Sequence, residues 1–208
     1  MPPTPDDSKQ SIEDEIQASC RRGDMPSAAA SLVRGYGPEI MGFLAARLGD
    51  HASADEAFGF FCEDILRGLP AFEWRASVRT WSYVVARNAA SRLASDRGAQ
   101  RRTSLDGSAR QAVSDAAVAV RTRTLPYLRT ETKDQYRKLR EQLSLEDRTL
   151  LLLRVDRDLP WRSVATIMSE AGEATSESDL MREEARLRKR LELIKDRLRK
   201  LAEYVGLL

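Results

Sequence analysis

Aromatic and basic side chains interleave along residues 72–102, FEWRASVRTWSYVVARNAASRLASDRGAQRR. Phe72, Trp74, Trp81 and Tyr83 stand among Arg75, Arg79, Arg87, Arg92, Arg97, Arg101 and Arg102, and only Glu73 and Asp96 oppose those charges. Arginine neutralises phosphate, and an exposed ring stacks on an unpaired base. The stretch therefore points to nucleic acid that is at least partly single-stranded. Taken alone, it also fits an amphipathic helix with a solvated basic face. Trp81 shares a helical stripe with Val78 and Val85, so its ring is expected in the core rather than at a stacking surface.

A second basic run lies near the C-terminus. WRSVATIM is a compact amphipathic segment, SEAGEATSES is a polar turn, and a helix over residues 179–205 follows. Together they have the outline of a helix-turn-helix, whose second helix enters the major groove. Arginines there reach guanine edges or phosphates. The turn is longer than usual. Leu187, Leu191, Ile194, Leu198, Leu201 and Val205 form the inward stripe, and Arg182, Arg186, Lys189, Arg190, Arg197 and Lys200 cover the other faces. A packing hairpin or a coiled-coil pairing helix would show the same pattern.

The elements that must position these residues are helical. In 208 residues, 32% are charged and only 6% aromatic, so the core rests on Leu, Val, Ile and Ala. Residues 1–10 are Pro-rich and polar and are expected to be disordered. Helices are expected over residues 11–22, 27–48, 53–69 and 77–97, with Pro38 kinking or breaking the second and Ser53 capping the third. Residues 98–130 are rich in Gly, Ser, Thr, Ala and Arg and read as a linker, with short helical turns around Val113–Val120 as the alternative. Ser144 caps LEDRTLLLLRV, and Asp158-Leu159-Pro160 breaks the chain before WRSVATIM. The expected fold is all-α: a helical domain over 11–97, a flexible linker over 98–130, and a helix-turn-helix domain over 131–208.

Several function classes are excluded. Cys20 and Cys62 are isolated, which argues against a disulfide framework or a thiolate zinc site. The one histidine, His51, sits in a turn-like GDHAS context. No nucleophile and base pair, metal set or phosphate loop is present, so neither an enzyme nor a cofactor is expected. No apolar run reaches the roughly 20 residues that span a bilayer. MPPTPDDSKQ lacks the apolar region of a signal peptide. A cytoplasmic protein is expected. The net charge of +2 hides an asymmetry, because the first 24 residues carry six acids against three bases while both runs above are basic.

The order of the pieces resembles a bacterial RNA polymerase sigma factor of the extracytoplasmic-function type. LVRGYGPEIMGFLAARLGDHASADEAFGFFCEDILRGL and FEWRASVRTWSYVVARNAASRLASDR resemble the family's first domain, with Thr80-Trp81, Tyr83 and Ala86-Arg87-Asn88 in register. QLSLEDRTLLLLRVDRDLPWRSVATIM, Arg190-Leu191 and Arg197-Leu198-Arg199 resemble its helix-turn-helix domain. The chain departs from the family in three places. The family's Gln-Glu pair is Gly59-Phe60 here, or shifts to Glu63-Asp64. The Leu after the family Trp is Ser82, and the turn before the recognition helix carries extra residues.

The resemblance implies core RNA polymerase and promoter DNA as partners. Asp55, Glu56, Phe60, Glu63 and Asp64 would dock on a coiled coil of the polymerase's largest subunit. Phe72, Trp74, Arg75, Arg79, Tyr83, Arg87, Asn88 and Arg92 would handle the minus-ten element, with Phe72 and Asn88 at the positions that capture a flipped base. Arg182, Arg186, Lys189 and Arg190 would read the minus-thirty-five element. Many relatives are held by an anti-sigma factor, and nothing in this chain identifies one. The alternative is a stand-alone helix-turn-helix regulator that binds duplex DNA without polymerase.

Overall fold

The computed structural model describes residues 5–94, 107–124, 139–169 and 176–204, and every regular element among them is helical. The fold is all-α. The helices are α1 (Pro5–Arg21), α2 (Met25–Leu48), α3 (His51–Gly68), a 3-10 turn (Leu69–Ala71), α4 (Val78–Ala94), α5 (Gly107–Thr124), α6 (Leu145–Leu151) with a π turn (Leu152–Asp156), α7 (Trp161–Met168) and α8 (Glu177–Tyr204). Packing divides the chain into two compact units, Met1–Ala45 with Asp50–Leu128, and Ala46–Gly49 with Arg129–Leu208.

In the first unit α3 is the central element. Ala54, Ala57, Phe58, Phe61 and Ile65 are buried on it, at helical spacing. α2 supplies Leu32, Val33, Tyr36, Ile40, Phe43 and Leu44 to the same core, and α4 supplies Val78, Tyr83, Ala86, Ala89 and Ala90. α1 begins at Pro5, so residues 5–10 are helical rather than the disordered tail expected from their composition. α2 runs through Pro38 as one continuous helix, so Pro38 does not break it. Pro38 and Arg34 are both exposed, so water can satisfy the Arg34 carbonyl that Pro38 cannot bond. The cap of α3 is Asp50, whose carboxylate accepts from the Ser53 amide at 2.7 Å, so Ser53 is the partner rather than the cap.

The largest departure concerns the expected linker. Residues 107–124 form α5, which packs on α3 as part of the first unit. Its stripe is Val113, Ala116, Ala117 and Val120, all buried. Such small side chains bury little area each, and they hold only by close approach. Gly37 on α2 permits that approach: a Cβ there would lie 2.8 Å from Val120 and 3.3 Å from Phe58. The rest of the expected linker, residues 98–106 and 125–130, lies outside the described residues, as do Arg97, Arg101 and Arg102.

In the second unit Ser144 caps α6 as expected, its hydroxyl accepting from the Asp147 amide at 3.1 Å. Leu150, Leu153, Leu159, Val164 and Ile167 meet Leu187, Leu191 and Ile194 of α8 in a small core. Leu198 and Leu201 are half-buried, so the inward stripe weakens beyond Ile194. Val205 and residues 131–138 lie outside the described residues.

Candidate nucleic-acid interface

Three aromatic rings cluster where the 3-10 turn hands over to α4. The Phe72 ring stacks on Trp81, with centroids 4.7 Å apart and planes 27° from parallel. Trp74 leans against the other side of the cluster, 5.0 Å from Phe72 at 55°. Trp74 adopts a left-handed backbone (φ 58°), a conformation costing about 1–2 kcal/mol for a side chain other than glycine. Its ring is among the exposed large apolar groups, and Phe72 and Trp81 are half-buried. Trp81, expected in the core, thus forms the floor of an open stack. Its ring rests over Gly68 at the end of α3, where a Cβ would come within 3.0 Å. Asn88 lies two turns further along α4 on the Trp81 face, half-buried, with Arg87 beside it. Ser82, which replaces the family Leu, is buried, and its hydroxyl donates to the Val78 carbonyl at 2.8 Å.

Beneath this surface runs a polar network. The Arg79 guanidinium is clamped on the Glu39 carboxylate, and the Tyr83 hydroxyl donates to the same carboxylate at 2.8 Å. Burial works most strongly against the Arg79 cation, but the Glu39 hydrogen bond and the charges of Glu39, Tyr83 and Tyr36 together outweigh it and raise the guanidinium. Tyr83 is fully buried, edge-on to Phe43 at 5.1 Å. Tyr83 and Arg79, expected to meet DNA, are both engaged with Glu39 in this structure and tie α4 to α2. Arg92 is also engaged, in a two-pronged pair with Asp64 on α3. Arg75 remains on the surface, 71% exposed and paired with Glu73 at 2.8 Å.

The residues expected to dock on polymerase divide among three faces of α3. Glu56 is exposed, and Glu63 accepts from Arg67 at 3.0 Å on the same open side. Asp64 turns toward α4, where burial raises its carboxyl and the Arg92 charge opposes that shift. Phe60 is half-buried, with the Arg92 guanidinium 5.4 Å above its ring. Asp55 is paired with Arg121 of α5. The guanidinium of Arg121 also sits 5.8 Å from the Phe58 ring. Nothing in the amino-acid pattern revealed Arg121 as a partner, because α5 itself read as linker. Cys62 beside it is buried, and burial pushes its thiol up to about 12.

On α8, Arg182, Arg186 and Lys189 lie along one exposed side. Arg182 and Arg186 pair with Asp179 and Glu183 on their own helix, at 3.3 and 2.6 Å. Such exposed pairs contribute about 0.2–1 kcal/mol and exchange readily for a phosphate. Arg190 differs, because it reaches back to Asp147 of α6 at 2.6 Å and is only 30% exposed. It fastens the helix instead of facing outward. α7 meets the start of α8 through Arg162 and Glu177, and the Trp161 ring lies between Arg154 and Arg188, at 5.5 and 5.4 Å. Residues 170–175 of the expected turn lie outside the described residues.

Residues 32–100 match the family model for Sigma-70 region 2. This segment is similar to a sigma-70 region 2. It runs from within α2 past the end of α4 and contains the aromatic stack, Asn88 and the acidic side of α3. The likeness supports a sigma-70 family sigma factor with a part in promoter recognition by RNA polymerase. The region 2 family implies core polymerase and promoter DNA as partners, and a regulator rather than an enzyme. No curated protein and no solved structure matches the chain. No helix among the described residues is long and apolar enough to cross a membrane, and no group of His, Cys, Asp or Glu there could hold a metal ion.

Proposed function

We propose that the chain is a sigma factor of the extracytoplasmic-function type, which brings core RNA polymerase to specific promoters in the cytoplasm and assists strand opening. The observation that carries this reading is the open Phe72–Trp81 stack inside the region 2 segment, with Trp74 and Arg75 exposed beside it. An unpaired minus-ten base would leave the duplex and stack at Phe72, and the Asn88 amide would meet its edge. Extrusion costs a few kcal/mol, which stacking and edge hydrogen bonds offset. Arg75 and Arg87 would hold the strand's phosphates. Glu56 and Glu63 on the open side of α3, with Asp55 at its edge, would dock on polymerase. α7 and α8 would act as a helix-turn-helix at the minus-thirty-five element through Arg182, Arg186 and Lys189.

The test is reconstitution. The purified protein should form a defined complex with core polymerase and open promoter DNA. Phe72→Ala and Asn88→Ala should impair opening by about 1–3 kcal/mol while leaving core binding intact. Binding to duplex DNA without any complex with core polymerase would favour a stand-alone regulator.

A further inference from the structure

We propose that Glu13 of α1 is a positioning residue for strand capture: its carboxylate, held by Tyr36, fixes the first turn of α4 and thereby the Phe72–Trp81 stack. The inference rests on the strand-capture reading of that stack given above. It extends the machinery to α1, which lies outside the region 2 segment.

A helix begins with four amides that have no partner within it. On α4 those of Val78, Arg79 and Thr80 are satisfied from outside the helix ladder. The Thr80 amide donates to the Ser77 hydroxyl at 3.1 Å, and the Trp81 amide makes the first bond of the helix ladder, to the Ser77 carbonyl at 3.0 Å. The other two partners come from 65 or more residues earlier in the chain. The Val78 amide donates to Glu13 Oε2 and the Arg79 amide to Glu13 Oε1, each at 3.0 Å. A carboxylate there also meets the positive end of the helix dipole. The Tyr36 hydroxyl donates to Glu13 Oε1 at 2.9 Å, and burial together with the Glu13 charge drives the Tyr36 phenol far above its ordinary value.

The geometry links this cap to the stack. Trp81 is the last residue of the turn that Glu13 and Ser77 hold. Residues 72–77 form no regular element, so Phe72 is located by its bond to the Leu69 carbonyl and by the Trp81 ring beneath it. A first turn that frays moves the floor of the stack. Glu15 provides an internal comparison. It accepts from the Ser31 hydroxyl at 2.6 Å and so ties α1 to α2, as Glu13 does through Tyr36, but among the described residues it makes no bond to α4.

The experiment compares Glu13→Ala, Tyr36→Phe and Glu15→Ala with Phe72→Ala as reference, in the full chain. Thermal stability, affinity for core polymerase, open-complex formation and near-ultraviolet circular dichroism are measured for each. Glu13→Ala should lower open-complex formation about five- to ten-fold, the scale of one lost helix cap, with core affinity unchanged. Tyr36→Phe should lower it less, since the carboxylate stays but loses its anchor. Glu15→Ala should destabilise α1 without touching opening. The aromatic dichroism should change in Glu13→Ala and not in Glu15→Ala, a readout that needs no polymerase. Equal losses of opening in Glu13→Ala and Glu15→Ala would reduce Glu13 to a structural tie and overturn the inference. Normal opening in Glu13→Ala with impaired opening in Phe72→Ala would overturn it while sparing the strand-capture reading. Normal opening in Phe72→Ala would overturn both.

Discussion

Arg75 and Arg79 stand four residues apart in the same basic run and do different work. Arg75 is exposed on the loop, while Arg79 is 16% exposed and clamped on Glu39. Arg75→Ala should therefore reduce the salt dependence of promoter binding by about one unit of slope and leave the unfolding midpoint unchanged. Arg79→Ala should leave the Glu39 charge half-buried and cost about 1–3 kcal/mol of stability, between the exposed and buried limits for a broken pair. Salt titrations of binding and urea unfolding of both variants check this. The sequence pattern could not separate the two, because charge is visible in a run of residues and the partner that consumes it is not. Tyr83 shows the same limit: its ring reads as a stacking surface until Glu39, 44 residues earlier, receives its hydroxyl. Short-range signals fare better but slip in register. The turn at Asp50 was visible, yet the cap fell on Asp50 and not Ser53. The Ser53 amide and hydroxyl hold the Asp50 carboxyl below its usual range. A depressed carboxyl stabilises above its unfolded value and loses that contribution as pH falls through the folded one. Asp50→Ala should cost about 1 kcal/mol at neutral pH, and the gap to wild type should close as pH drops below roughly 4, measured by urea unfolding across that range.

At the scale of elements, α4 and α8 were legible because large apolar residues recur on them at helical spacing, and α5 showed only as short turns around Val113–Val120 within a linker. Val113, Ala116, Ala117 and Val120 follow the same period, but in a background of Arg, Ser and Thr they carry too little apolar area to stand out. What makes them a docking stripe is Gly37 on a different helix. This gives a sign that helix propensity alone would get wrong. Gly37→Ala lies in the interior of α2 and should gain about 1 kcal/mol from propensity. The new methyl would meet Val120 at 2.8 Å, and a branched side chain close to its backbone has little room to yield. Gly37→Ala should therefore displace α5 and lower stability, and adding Val120→Ala should recover part of the loss. A double-mutant cycle by urea unfolding should give a coupling of about 0.5–3 kcal/mol, the range for residues in contact. Limited proteolysis supplies a second readout. Residues 113–120 should resist cleavage in the wild type and become cleavable in Gly37→Ala, whereas equal cleavage in both would show that α5 does not hold to α3 through this contact.

For the molecule as a whole, the net charge of +2 says little, because it hides which cations are already paired with acids of their own unit. Arg79, Arg92 and Arg121 bind acids of their own unit, and Arg190 binds Asp147 in the other. Among the cations exposed at the surface, Arg75 lies beside the aromatic stack, and Arg182, Arg186 and Lys189 lie along α8. They belong to different units. Two units with separate cores and separate surface cations should contribute to promoter choice independently. In a groove-reading helix the N-terminal part meets the bases, so Arg186 should carry sequence information and Lys200, three to four turns on, should not. Arg186→Ala should cost about 1–3 kcal/mol and relax preference at one minus-thirty-five position. Lys200→Ala should leave preference intact and weaken all promoters alike, if at all. Asn88→Ala should act only on the minus-ten element. Because these residues sit on different units, the double variant Asn88→Ala with Arg186→Ala should lose the sum of the two single losses, within about 0.5 kcal/mol. The measurement is polymerase-dependent binding across a promoter library at fixed salt. A double loss well below the sum would mean that the units read the promoter as one coupled surface, and an Arg186→Ala variant with unaltered minus-thirty-five preference would move the readout off this side of α8.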